Sequence, residues 1–402
     1  MQQNFQLDFY ATLLCLVLIL LIGRFFIKKF KILRDFNIPE PVVGGLIAAI
    51  FLTTLSYFKG YSFNFDASFK EPLMLAFYSS IGLSADFSSL KKGGRILVIF
   101  LVAVSAMLVL QDALGVGIAV LMGQNPILGL LGGSITMSGG HGTGAAWANT
   151  FVNDPYHFSA AMEAAMAAAT FGLIAGGIIG GPVARYLVKR HKLELPNIYD
   201  KEVTPFEKPE KERKITASSF SESLALISVC LFLGVLLHDF FSTESFNLPT
   251  FVYCLFVGAI LRNTLQLTRV HSIFDREISI LGNVSLSLFL VFALMTIDLS
   301  KLVDLAVPMT VILILQVVLM VIFAIFVTFR VCGKDYDAAV LSAGHCGFGL
   351  GATPTAIANM QAVTQNYGVS HMAFIVVPLV GAFFIDIVNA LVIAGFLNLP
   401  IF

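Results

Sequence analysis

ITMSGGHGTGAAWANT, residues 135–150, packs glycines among hydroxyls, a histidine and an asparagine, while the chain on either side of it is apolar. A second stretch of the same character, SAGHCGFGLGATPTAIANM, follows at 342–360. Glycine is among the poorest helix formers, so neither stretch reads as a plain membrane-spanning helix. The pair sets the architecture to be explained.

The flanking chain identifies the medium. Of 402 residues, 57% are hydrophobic and 12% charged, with a mean hydropathy of +0.87, whereas soluble domains are about one-quarter charged. The apolar residues arrive in runs such as 96–122 and 305–329, each longer than the ~20 residues that cross ~30 Å of hydrocarbon. The chain reads as an all-α polytopic membrane protein. A net charge of zero gives no reason to expect a nucleic-acid partner. Five cysteines, odd in number and mostly inside apolar runs, fit neither a disulfide framework nor a metal-ligand spacing. The opening MQQNFQLDFY has no basic region and no evident cleavage site, so the first run is expected to be a retained span.

Ten transmembrane helices are predicted, at about 7–27, 41–58, 71–90, 96–122, 158–184, 219–240, 249–266, 279–299, 304–329 and 370–398. With the loops after the odd-numbered spans in the cytoplasm, 22 of the 25 lysines and arginines lie inside, leaving only Lys59, Lys70 and Lys301 outside. The positive-inside rule then places both termini outside the cytoplasm. The charged, proline-bearing segment 185–218 reads as a cytoplasmic linker between an N-terminal half, 1–184, and a C-terminal half, 219–402.

The halves echo each other at an offset near 210 residues. NIPEPVVGGLIAAI (37–50) matches NLPTFVYCLFVGAI (247–260), VLQDAL (109–114) matches ILQVVL (314–319), and Asp86 aligns with Asp298. Five spans per half is odd, so the second copy is inverted, as in alternating-access transporters. Residues 127–150 must then enter and leave from the outer face as a re-entrant hairpin, and 337–360 from the inner face. Backbone of this kind survives at membrane depth only where protein or a water-filled cavity satisfies it. The short helices that follow would aim their N-termini at one another and so attract an anion. Unwound carbonyls and threonine hydroxyls would offer hard ligands to a small cation. The plain alternative is small-residue helix packing, which suffices for LIAGGIIGGPVA at 173–184.

MSGGHGTGAAW, its counterpart GHCGFGLGATPTAIANM and the five-plus-five layout resemble, over essentially the whole chain, the bacterial sodium/glutamate symporters (the GltS type). The resemblance implies Na⁺-driven uptake of L-glutamate across the bacterial inner membrane, a homodimer, and an elevator-like movement of a substrate-bearing domain against a scaffold. It carries the glycine motif to Gly139, Gly140, Gly142 and Gly144, and in the second stretch to Gly344, Gly347, Gly349 and Gly351. There Cys346 and Phe348 interrupt the small residues.

No lysine or arginine lies between Arg95 and Arg185. The anion is therefore expected to meet backbone N–H groups at Gly139, Gly140, Gly349 and Gly351, with hydroxyls from Ser138, Thr143, Thr353 and Thr355. Asp386 and Asn389 fall one turn apart on one helix face, placed to hold the substrate ammonium or an ion. For Na⁺ the candidates are Thr136, Asn149, Glu163, Asn359 and Asp386, since ionisable groups at membrane depth are costly and default to function. Each has a bland reading. Glu163 sits near a helix start, where negative charge is favoured anyway. Asn149 and Asn359 fit helix caps. Asp112, beside Gln111, fits a packing contact, and His141 and His345 fit structural hydrogen bonds.

Three rival functions compete: a sodium-coupled di- or tricarboxylate carrier of similar architecture, a channel with two half-helices, and an intramembrane hydrolase. The only Asn-Pro, 125–126, reads as a turn, which weighs against the channel. Ser138 and His141, three residues apart, make a poor nucleophile–base pair.

Overall fold

The computed structural model describes residues 3–153, 155–193, 214–241, 248–298 and 301–402. Most of the expected linker, 194–213, lies outside the described residues. The chain opens with β1, Gln3–Leu7, and α1, Phe9–Lys29, whose first turn is capped by the Asp8 carboxylate accepting from Ala11 N. Then follow α2, Lys31–Asp35, α3, Glu40–Lys59, and β2, Tyr61–Phe65. Gly60 ends α3 in the left-handed conformation, a common helix stop. Next come α4, Lys70–Ser84, α5, Leu90–Leu121, and three short helices: α6, Pro126–Leu131, α7, Ser134–Met137, and α8, Gly140–Val152. The first half closes with α9, Ala161–His191.

In the second half stand α10, Ala217–Phe241, α11, Thr250–Thr268, α12, Asp275–Met295, and α13, Leu302–Phe323. A π-helical turn, Ala324–Thr328, joins α13 to α14, Phe329–Val331. Two helices, α15, Tyr336–Phe348, and α16, Thr353–Tyr367, hold the second glycine-rich stretch. The chain ends in α17, His371–Leu379, a second π-helical turn at Val380–Phe384, and α18, Ile385–Leu397.

Eight helices among the described residues are long and apolar enough to cross a membrane. They coincide with eight of the ten expected spans. The other two expected spans are helical but different in kind: 71–90 holds the 15-residue α4, and 370–398 is broken by the π turn between α17 and α18. The all-α expectation also misses one feature. Strands β1 and β2 pair in parallel, Gln3 opposite Tyr61 through Leu7 opposite Phe65. Phe5 stacks on Phe63, and Thr12 Oγ1 accepts from Asp66 N at 3.0 Å, which ties this short sheet to the start of α1.

The chain resolves into two compact units, and each draws on both halves of the sequence. Unit 1 comprises residues 1–85, 145–166 and 217–306; unit 2 comprises 86–144, 167–216 and 307–402. In unit 1, α4 packs against α11 and α12 through small residues. The Cβ that Gly82 lacks would lie 3.0 Å from Ala259 N, and the one Gly282 lacks 2.7 Å from Ser80 Cβ. Backbones approach this closely because dispersion between small residues, not burial from water, joins helices in lipid. Leu83, Ile227, Cys230, Val257 and Ile278 form an apolar cluster in the same unit. Unit 2 holds both glycine-rich stretches as far as Gly144, together with α17 and α18.

Candidate functional site

The two glycine-rich stretches meet in unit 2 along their backbones. Gly140 opens α8 with φ +66°, a conformation glycine adopts at little cost. Its missing Cβ would lie 3.2 Å from the carbonyl oxygen of Gly351, two residues before α16 begins. The starts of α8 and α16 therefore lie side by side, and both present N–H groups with no partner inside their helix. In the second stretch the chain turns over Gly349–Ala352, and the missing Cβ of Gly347 would sit 2.5 Å from Ala356 N. Cys346 and Phe348, which interrupt the small residues, are fully buried, with Phe348 edge-on to Phe100.

Two residues of α5 organise the surrounding polar groups. Gln111 Nε2 donates to Gly349 O at 2.7 Å, and its Oε1 accepts from Ser138 Oγ at 2.7 Å. Gln316 Nε2 donates to Gln111 O at 2.7 Å. One amide thus clasps the first stretch to the second. Sequence reasoning assigned neither glutamine a role, although they occupy the same place in the similar segments VLQDAL, at 111, and ILQVVL, at 316.

Asp112, for which the sequence left a packing contact and a functional role equally open, binds the start of α7. Its Oδ1 accepts from Ser134 N at 2.7 Å, and its Oδ2 lies 2.8 Å from Ser134 Oγ. Asn389 Oδ1 lies 2.6 Å from the same hydroxyl, while Asn389 Nδ2 donates to Ser134 O at 3.1 Å. A hydroxyl has one proton. Two acceptor oxygens thus share one donor in a fully buried corner, an arrangement short of positive charge.

The remaining expected residues fall as follows. Asp386 lies one turn before Asn389, just past the π turn, and makes no hydrogen bond among the described residues. Thr353 Oγ1 donates to Gly381 O at 2.7 Å, a carbonyl inside that π turn. Such turns recur at functional sites. Thr355 Oγ1 is buried without a partner. Thr143 and Gly139 are in the first stretch, Thr143 nearly buried, and a Cβ on Gly139 would meet Ile135 O at 2.6 Å. Thr136 Oγ1 donates to Leu131 O at 2.6 Å, and Asn359 Nδ2 to Gly176 O at 2.8 Å.

Asn149 and Glu163 belong to unit 1, the other candidates to unit 2. Glu163 Oε1 accepts from Asp298 N at 3.0 Å and lies 4.0 Å from Lys301 Nζ, whereas its Oε2 is buried without a partner. His141 Nε2 is 3.0 Å from Thr170 Oγ1, and His345 Nδ1 is 2.9 Å from Thr328 Oγ1. With Ser138 hydrogen-bonded to Gln111, Ser138 and His141 do not form a nucleophile–base pair. No cluster of three or more metal-ligating His, Cys, Asp or Glu side chains occurs among the described residues.

A sequence profile described as "Sodium/glutamate symporter" matches residues 5–369. The chain is 55% identical over 399 residues to the sodium/glutamate symporter of Escherichia coli (strain K12), covering 99% of each chain. It is 52% identical over 385 residues to that of Haemophilus influenzae, covering 95% of each.

Proposed function

The chain belongs to the sodium/glutamate symporter family, and from that premise we infer that it carries L-glutamate across the membrane together with Na⁺. It is a multi-pass membrane transporter, and the carboxylate carrier and the half-helix channel give way to this reading. Coupling is energetically sensible. A monovalent anion moving toward a negative interior works against ~2.3 kcal/mol per 100 mV, whereas two or more accompanying Na⁺ reverse the sign.

The observation that carries the site is the backbone approach of Gly140 to Gly351. At that point the starts of α8 and α16 offer N–H groups to an anion with no arginine present. In the proposed arrangement the substrate carboxylates meet the backbone at Gly139, Gly140, Gly349 and Gly351 and the hydroxyls of Ser138, Thr143, Thr353 and Thr355. Asp386, without a hydrogen bond, takes the ammonium or an ion, and Asn389 supports it. One Na⁺ would relieve the shortage of donors at Asp112, Ser134 and Asn389. Thr136 and Asn359 spend donors, not acceptors, on carbonyls and so remain ligand candidates. Asn149 and Glu163, with its unpartnered Oε2, would serve a separate ion within unit 1.

The larger frame follows the same reading: ten spans in two inverted halves, re-entrant hairpins at 127–150 and 337–360, and an elevator-like movement in which unit 2 bears the substrate. The repeat is supported by Gln111 and Gln316 occupying matching positions, and the elevator by the second stretch and the first as far as Gly144 belonging to one compact unit. A homodimer in the inner membrane, with both termini periplasmic, completes it.

The test is uptake of labelled L-glutamate into proteoliposomes under an inward Na⁺ gradient. Concentrative uptake that stops when K⁺ replaces Na⁺, and that Asp386→Asn abolishes in a folded protein, is expected. Full uptake by that variant removes Asp386 from the site.

A further inference from the structure

Helices α9 and α16 part company at one point in unit 2. Up to Gly180 they are in close contact: the missing Cβ of Gly177 would touch Thr355 Cγ2 at 3.5 Å, and that of Gly180 would lie 2.5 Å from Asn359 Cγ. At Gly181 the same construction meets nothing within 4 Å. Here a cavity of about 640 Å³ opens, lined by Arg185, Tyr186, Lys189 and Arg190 on α9 and by Asn366 and Tyr367 on α16. That volume is typical of small-molecule sites.

The lining holds three cations and no acid. None of the three is hydrogen-bonded or ion-paired among the described residues. Basic residues in the last turn of a helix answer its dipole, which accounts for Lys189 and Arg190. It does not account for Arg185, which is more than a turn from the end of α9 at His191. Position narrows the chemistry. Residues 164–184 carry no charge and span roughly 30 Å as helix, so Arg185 stands at the edge of the hydrocarbon layer. Ile178, two turns earlier on the same face, is 55% exposed and offers an apolar wall on the membrane side. Tyrosines beside the cations are the side chains favoured at that depth.

We propose that this cavity binds the phosphate headgroup of an anionic phospholipid, held by Arg185, Lys189 and Arg190, with its acyl chains along the Ile178 face of α9. The apolar wall selects a lipid over a soluble phosphate.

Native mass spectrometry of the detergent-purified protein, titrated with dioleoyl phosphatidylglycerol or dioleoyl phosphatidylcholine, tests this. The phosphatidylglycerol adduct is expected to be the stronger, and to weaken about fivefold per cation, about a hundredfold in Arg185→Gln/Lys189→Gln/Arg190→Gln. Lys28→Gln/Lys29→Gln/Lys31→Gln, which removes equal charge elsewhere, should keep it, as should Lys189→Arg. Should the triple variant fail to run as a single species, Arg185→Gln alone carries the test with its fivefold loss. Equal binding of the two lipids, equal loss in the control, or displacement of the lipid by inorganic phosphate at the same concentration overturns the proposal.

Discussion

The two glycine-rich stretches use the same residue for different purposes. In the first, the chain breaks between two short helices, α7 and α8, and Gly140 adopts a left-handed φ that few other residues reach cheaply. In the second, the chain makes a plain two-helix turn, and none of its glycines between Tyr336 and Tyr367 has a positive φ. Glycine there supplies room: Gly347 lies against the backbone of Ala356, and Gly344 against Val377. In one stretch glycine sets conformation; in the other it admits a neighbour. Similar motifs therefore do not imply similar strain.

Substitutions should separate the two roles. The largest effect is expected from Gly347→Val, whose side chain has no space between α15 and α16. Folded protein, followed by fluorescence-detected size exclusion, should be nearly lost. Gly140→Ala should instead leave the fold in place and lower Na⁺-dependent uptake about tenfold, because a non-glycine residue pays roughly 1–2 kcal/mol in that conformation. Equal losses of folded protein in the two variants would erase the distinction. Next in size is Gln111→Ala, which strips the amide clasp and leaves the stretches only the longer 3.3 Å hydrogen bond from Ser138 Oγ to Gly349 O, with the backbone carbonyl under-satisfied. An unsatisfied buried group costs roughly 1–3 kcal/mol, so uptake should fall about five- to a hundredfold, and unchanged uptake would mean that each stretch holds its shape alone. The smallest effect belongs to Cys346→Ala. If Cys346 only fills space, uptake stays within about twofold; a larger loss would make it part of the approach.

How much of this was legible in the sequence depended on the range of the forces involved. Apolar runs placed the long helices to within a few residues, as with 7–27 against Phe9–Lys29, because hydrocarbon thickness sets their length locally. The meeting of the stretches was readable from their composition. The π turns at Ala324–Thr328 and Val380–Phe384 were not, since their freed carbonyls are stabilised by distant side chains, Ser342 for Ala324 and Thr353 for Gly381. Nor was Asp112: a lone acid beside Gln111 says nothing of Ser134 or Asn389, the latter 277 positions away in sequence. The pairing of Gln3–Leu7 with Tyr61–Phe65 was also hidden, being set by the three helices α1 to α3, which return the chain to its starting point. Interleaving of the two units could not be read from halves that each looked complete.

That interleaving has a consequence for biosynthesis. Unit 1 needs residues 217–306 to join residues 1–85, so it cannot close until about 220 further residues have been translated. At roughly 5–20 residues per second the wait is about ten to forty seconds. During it, the earliest helices sit in the bilayer with their small-residue faces uncovered. The nascent chain must therefore be kept from premature partners, and a ribosome stalled between positions 85 and 217 would release a product with neither unit assembled.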